Sequence, residues 1–194
     1  MRIRDPRAFR ALAHPLRLDL VELLSVAGPT TAAECARRLG SSQASCSFHL
    51  RQLAKYGFVE ETRTDDPDQR KRFWRLVETD QAWEARDHPA AARELDRVVV
   101  EREATRVLDA LADPAGEHAD AWRSPLLSGL TVPMSPGELD SVWRRIHDLL
   151  EPYAERMRGR AEVPGDAAWI RLFLAATPLA DDAESSPTDA EGQG

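Results

Sequence analysis

Residues 41–61 read SSQASCSFHLRQLAKYGFVEE. The run opens like a helix, ends on Gly57, turns extended, and carries no acidic residue before Glu60. On a wheel of about 100° per residue, Cys46, Leu50 and Leu53 share one stripe that must pack inward. Ala44, Phe48, Arg51, Gln52 and Lys55 face the other way, with Ser45 at the edge. Ser42 is the natural N-cap, which leaves Gln43, Ala44 and Ser45 as an exposed first turn. Small residues there let the backbone approach a surface, and free amide N–H groups with the positive end of the helix dipole favour phosphate. Gln and Arg can make paired hydrogen bonds to base edges, and Phe48 could meet a thymine methyl. A helix over about 42–56 therefore suits the major groove of duplex DNA, although the same face would also serve as a plain solvated surface. His49 lies at the border of the core stripe, where a packed histidine and a DNA contact both fit.

The elements on either side agree. Asp5-Pro6 starts a first helix and His14-Pro15 breaks it. Pro15 then opens a second helix that stops at Gly28-Pro29. TTAAECARRLG has Thr30 or Thr31 as N-cap and Gly40 as terminator, so a third helix precedes 42–56 across a two- or three-residue turn. After Gly57, FVEETRT and RKRFWRLV flank the turn-forming DDPDQ and predict a β-hairpin over about 58–77. Arg63 on its first strand, with Arg70, Lys71 and Arg72 on its turn and second strand, would grip the DNA backbone or minor groove. Asp65, Asp66 and Asp68 in the turn depart from that pattern.

These features resemble the winged helix–turn–helix of ArsR-type bacterial transcription regulators. The carrying residues are Ala13-His14-Pro15-Leu16-Arg17 and Ser47-Phe48-His49-Leu50, followed by Leu53, Gly57 and Val59. The resemblance implies a homodimer reading a two-fold symmetric operator, usually as a repressor, with Ser47 and His49 on the inserted helix. It covers residues 5–77. Phe48 departs from the polar residue common at that position. The longer second half is similar to extended relatives in high-GC bacteria.

Charge divides the chain in the same place. Residues 1–77 hold 14 Lys+Arg against 9 Asp+Glu, or +5, and residues 78–194 hold the remaining 12 against 24, or −12, of a total −7. A basic half favours a polyanion and an acidic half repels one. The expected organisation is a DNA-binding domain over 1–80, a dimerisation and effector region over 81–178, and a disordered acidic tail over 179–194. Leu95, Val98, Val99, Arg102, Thr105, Leu108 and Leu111 predict a helix from about Pro89 to Ala112, well placed to cross a dimer axis. Ser135-Pro136-Gly137-Glu138 starts a further helix, carried on by Leu139, Val142, Trp143, Ile146, Leu149, Leu150, Tyr153 and Met157. LLSGLTV and AWIRLFLAAT read as strands that could pair. The expected fold is thus mainly α with a β-hairpin wing, followed by an α+β region containing a dimerisation helix.

Other functions find less support. Trp122, Trp143, Tyr153 and Trp169 could line a pocket for an unidentified small-molecule effector, though aromatics at helical spacing also read as core. A thiolate metal sensor needs closely spaced cysteines, whereas Cys35 and Cys46 stand alone in core slots. Asp87, His88 and Glu94 lack a matching second set, so no metal or cofactor is expected. No phosphate-binding glycine loop, nucleophile elbow or H-E-x-x-H motif points to an enzyme. No apolar run reaches the roughly 18 residues of a membrane span. The start lacks a signal-peptide core and the cysteines form no disulfide framework, which points to the cytoplasm. The reading is a dimeric, DNA-binding transcription regulator, a repressor rather than an activator. The alternatives are a metal-responsive regulator of the same fold, and a winged-helix module that binds only other proteins.

Overall fold

Caps and prolines cut the first half of the chain into four helices. A computed structural model describes residues 2–3, 5–62, 72–78, 82–83, 89–112 and 127–179. In chain order the elements are β1 (Arg2–Ile3), α1 (Pro6–Leu12), α2 (Pro15–Ala27), β2 (Thr30–Thr31), α3 (Ala32–Leu39), α4 (Gln43–Lys55), β3 (Val59–Thr62), β4 (Phe73–Leu76), β5 (Ala82–Trp83), α5 (Pro89–Ala112) and α6 (Pro136–Met157). The Asp5 carboxylate caps α1, accepting from the Arg7 amide at 2.8 Å. Pro15 opens α2, and Thr31 caps α3 by accepting from the Glu34 amide at 3.2 Å. Gly40 ends α3 with φ of 60°, a left-handed conformation that a side chain resists. Only Gly40, Ser41 and Ser42 separate α3 from α4, so the two helices pack directly on each other.

The core gathers under this pair. Phe9, Leu12, Leu20, Cys35, Cys46, Leu50, Leu53 and Phe58 are all fully buried, from α1, α2, α3, α4 and the residue just before β3. Behind α4, β3 and β4 pair antiparallel, with Val59 opposite Leu76 and Thr62 opposite Phe73. The fold is mainly helical with a β-hairpin wing. Two details go beyond the sequence reading. Thr30 and Thr31 form a short third strand, giving the order β2-β4-β3, and β1 pairs parallel with β5. Two-residue strands leave no periodicity to read.

The first half of α5 belongs to the same core. Ala91, Ala92, Leu95 and Val99 join the cluster, and α5 packs against α1 and α2. The expected stripe then departs from the apolar pattern, because Glu103 is the buried position while Thr105, Leu108 and Leu111 are exposed. Here α5 meets the acidic edge of α2. Arg102 donates from Nε to Asp19 at 2.7 Å and from Nη2 to Glu22 at 2.5 Å, and Arg106 donates to Glu22 at 2.7 Å. Burial pushes the Glu22 carboxyl up, but hydrogen bonds from Arg106 and Arg102 outweigh it and hold the group below its ordinary range.

The second half corrects another expectation. Ser135 and Glu138 form the capping box of α6, the Ser135 hydroxyl accepting from the Glu138 amide and the Glu138 carboxylate from the Ser135 amide. Among the described residues, the two strands expected around it are not formed. Residues 127–134 and 168–177 have no regular secondary structure, and no backbone–backbone hydrogen bond joins them to another described segment. A strand exists only through its ladder, and neither segment meets one. Among the described residues, no helix is long and apolar enough to cross a membrane. Leu126 and the expected tail beyond Leu179 lie outside the described residues.

Candidate nucleic-acid interface

The α4 helix carries the surface that the sequence singles out. The Ser42 hydroxyl accepts from the Ser45 amide at 3.1 Å, which fixes the helix start and leaves the first turn facing outward. Gln43, Ala44, Phe48, Arg51 and Lys55 are exposed, while Ser45, Ser47 and Gln52 are partly covered. Cys46, Leu50 and Leu53 are buried beneath them. Phe48 is 51% exposed, which is unusual for an unpartnered aromatic on water. Its ring meets the edge of His49 at 5.2 Å. The Lys55 ammonium lies 5.7 Å from the centre of the Tyr56 ring.

His49 takes the inward of its two options. Its ring stacks on His14 at 4.4 Å, tilted by 39°, and joins α4 to the break between α1 and α2. The Nδ1 atoms of both rings are buried and lack a hydrogen-bond partner, as does Arg17 Nε beside them. Burial lowers both histidine pKa values. At His14 the Arg17 cation lowers it further and Asp19 opposes the shift; at His49 the His14 ring and then Arg17 lower it further. His49 therefore braces α4 from behind.

The wing is less open than its composition suggests. Arg72 lies across the hairpin at 3.2 Å from Glu61, and Arg75 pairs with Glu60 one rung away. Both pairs are exposed, so each is weak and exchangeable. Arg63, Arg70 and Lys71, and the acidic turn between them, lie outside the described residues.

The remaining candidates do not converge. Trp143, Tyr153 and Trp169 are exposed, and Trp122 lies outside the described residues. Two cavities, of about 730 and 440 Å³, open between α1, α2 and α5 and between β4 and the end of α6; none of these aromatics lines either. Burial pushes the Cys35 thiol up to about 11, with Cys46 adding to it, and raises the Cys46 thiol as well. Among the described residues no group of three or more His, Cys, Asp or Glu could hold a metal ion.

Known proteins share part of this arrangement. Residues 12–62 match the model of a helix-turn-helix domain. Over these residues the chain is similar to helix-turn-helix domains. The match runs from the end of α1 through β3 and so contains all of α4. No curated protein matches the chain. Among solved structures, the chain is similar to the transcriptional repressor BigR from Xylella fastidiosa, at 28% identity over 50% of this chain and 82% of that one, with a TM-score of 0.33. It is also similar to Mb0332 from Mycobacterium bovis, described as a homodimeric winged helix-turn-helix DNA-binding domain of a possible ArsR-family regulator. That match has 23% identity over 58% and 84% of the two chains and a TM-score of 0.32. ZitR of Lactococcus lactis matches at 16% identity over 75% and 86%, with a TM-score of 0.35. Scores this low carry neither function nor superposition from those proteins to this one.

Proposed function

We propose that this protein is a sequence-specific DNA-binding transcription regulator of the ArsR type, working as a homodimer and as a repressor. The observation that carries the reading is the outward face of α4. A capped helix with no acidic side chain presents Gln43, Ala44, Phe48, Arg51 and Lys55 to solvent from within a helix-turn-helix domain. In the major groove, Arg51 and Gln52 have the donors for paired base contacts, and Phe48 the apolar surface for a thymine methyl. Gln43, Ala44, Ser45 and Ser47 would lie along the backbone, where their amides and hydroxyls suit phosphate. Arg72, with Arg63, Arg70 and Lys71, would hold the flanking backbone from the wing. Arg72 must first exchange Glu61 for phosphate. Repression and dimerisation follow from the family resemblance, which also implies a palindromic site.

Selection from random duplex oligonucleotides with the purified protein tests the reading. The expected product is one enriched motif with two-fold symmetry and half-sites about one helical turn apart. A pool that stays random, with no sequence-selective gel shift on fragments of the source genome, would overturn it in favour of a protein-binding module.

A further inference from the structure

The helix α6 has no buried residue, although its sequence is amphipathic over 22 residues. Leu149 is 70% exposed, and Leu139, Val142, Trp143 and Tyr153 are exposed beside it on the helix. The extended segments on either side continue the pattern. Leu130 is 82% exposed in the first, and Trp169, Ile170, Leu172 and Phe173 are exposed in the second. Their backbone amides and carbonyls find no ladder among the described residues. A long apolar segment with unpaired backbone is a template for strand pairing.

The amount of surface decides what covers it. Sixteen large apolar side chains between Leu127 and Leu179 are more than a third exposed. At about 100 Å² apiece they present on the order of 1,500 Å², roughly twice the ~800 Å² per partner of a standard stable interface. A monomer leaves only a few hundred Å² in one patch. The surface is also anchored. Arg171 reaches back at 2.9 Å to Glu103, which is 2% exposed, so the second segment touches α5 at that point. Further along α5, Leu108 and Leu111 are exposed as well.

We propose that α6 and residues 127–134 and 168–177 form a dimerisation surface whose occupant is the same region of a second copy. The two segments become strands across that interface, each supplying the ladder the other copy lacks. A two-fold arrangement needs one self-complementary patch. A surface that holds both a helix face and two segments without a ladder meets that requirement within itself, and its summed apolar exposure is of the size a stable dimer buries. The proposal deepens the dimeric part of the function proposed above, but does not depend on DNA binding.

Sedimentation equilibrium of the full chain tests it, together with the double variant Leu149→Glu/Trp169→Asp. The wild type should sediment at twice 21.6 kDa, and the variant should dissociate at concentrations at least ten-fold higher than the wild type while keeping the helical circular dichroism of the domain. Should the variant unfold, a second measurement decides. Chains with Leu130→Cys and tagged chains with Leu172→Cys are mixed and oxidised, and a disulfide between tagged and untagged chains is expected. The native Cys35 and Cys46 are buried and do not compete. A monomeric wild type, a dimer indifferent to the double variant, or no disulfide between the two kinds of chain would each overturn the proposal. Loss of DNA selectivity with the dimer intact would sink the function instead and leave this inference standing.

Discussion

Arg51 and Lys55 leave the same face of α4 one turn apart, yet the groove would use them differently. A guanidinium paired to a guanine edge carries selectivity, so Arg51→Ala should cost about 1–3 kcal/mol at the preferred site and little elsewhere. Lys55→Ala should weaken all sequences alike and flatten the salt dependence by about one unit. Gel shifts on matched and scrambled sites at several salt concentrations separate the two outcomes. Arg51 was legible from the wheel alone, because a cation opposite three buried positions has nowhere to go but outward. His49 was not, since a residue on the border of a stripe is settled by what arrives from elsewhere in the chain, here His14. That pair makes stability depend on pH. Both histidines have lowered folded pKa values, so the unfolded chain binds protons first. Stability is at its full value above about 6.5 and should fall as the pH drops from there toward the lowered values. Thermal melts between pH 8 and 5 should show this decline, and His14→Gln should shrink it.

Elements with chemical punctuation were read well, and elements defined by their neighbours were not. Asp5, Thr31, Ser42 and Ser135 all cap the helices they precede. Each cap is a local contract between one side chain and one or two amides, so it is written within four residues. Ser42→Ala should lower stability by about 1 kcal/mol, and it should weaken DNA binding further by freeing the first turn of α4. Denaturant unfolding and gel shifts read the two effects, and an unchanged midpoint would mean that water replaces the cap. The segments 127–134 and 168–177 show the opposite case. Their composition suits strands, but the partner that would make them strands is missing from their own described chain, and no local signal supplies it. The two-residue β2 escaped because Thr30 and Thr31 also begin a helix, and the cap signal hides the bridge to β4.

Across the whole molecule, charge and core divide the chain differently. A boundary near residue 80 follows the change from basic to acidic, but Ala92, Leu95 and Val99 beyond it complete the core of the helix-turn-helix side. The seam between the two parts is ionic. Arg102 spans Asp19 and Glu22 on α2 and reaches Glu103 at 3.1 Å on its own helix. Arg102→Ala would leave three carboxylates around a largely buried site, with Arg106 and Arg171 as incomplete replacements. Breaking such a network from one side costs about 3–5 kcal/mol when fully buried, and less here where Asp19 and Glu22 are partly exposed. Urea unfolding should show a loss on the order of 2 kcal/mol, and a change within 0.5 kcal/mol would mark the seam as solvent-like. This network was invisible in the sequence because Glu103 holds a place on the apolar repeat, four residues after Val99. A carboxylate on that repeat was the one available sign.

Cys35 on α3 and Cys46 on the inner side of α4 are buried, and burial raises both thiols. An aqueous disulfide reagent can reach them only when α4 lifts from its bed or the whole domain opens. The natural chain therefore contains its own opening gauge, with no label added. The rate of colour release with such a reagent would count those excursions, and a cognate duplex that clamps α4 should slow it in proportion to occupancy. A rate that ignores DNA would place the opening elsewhere than at α4.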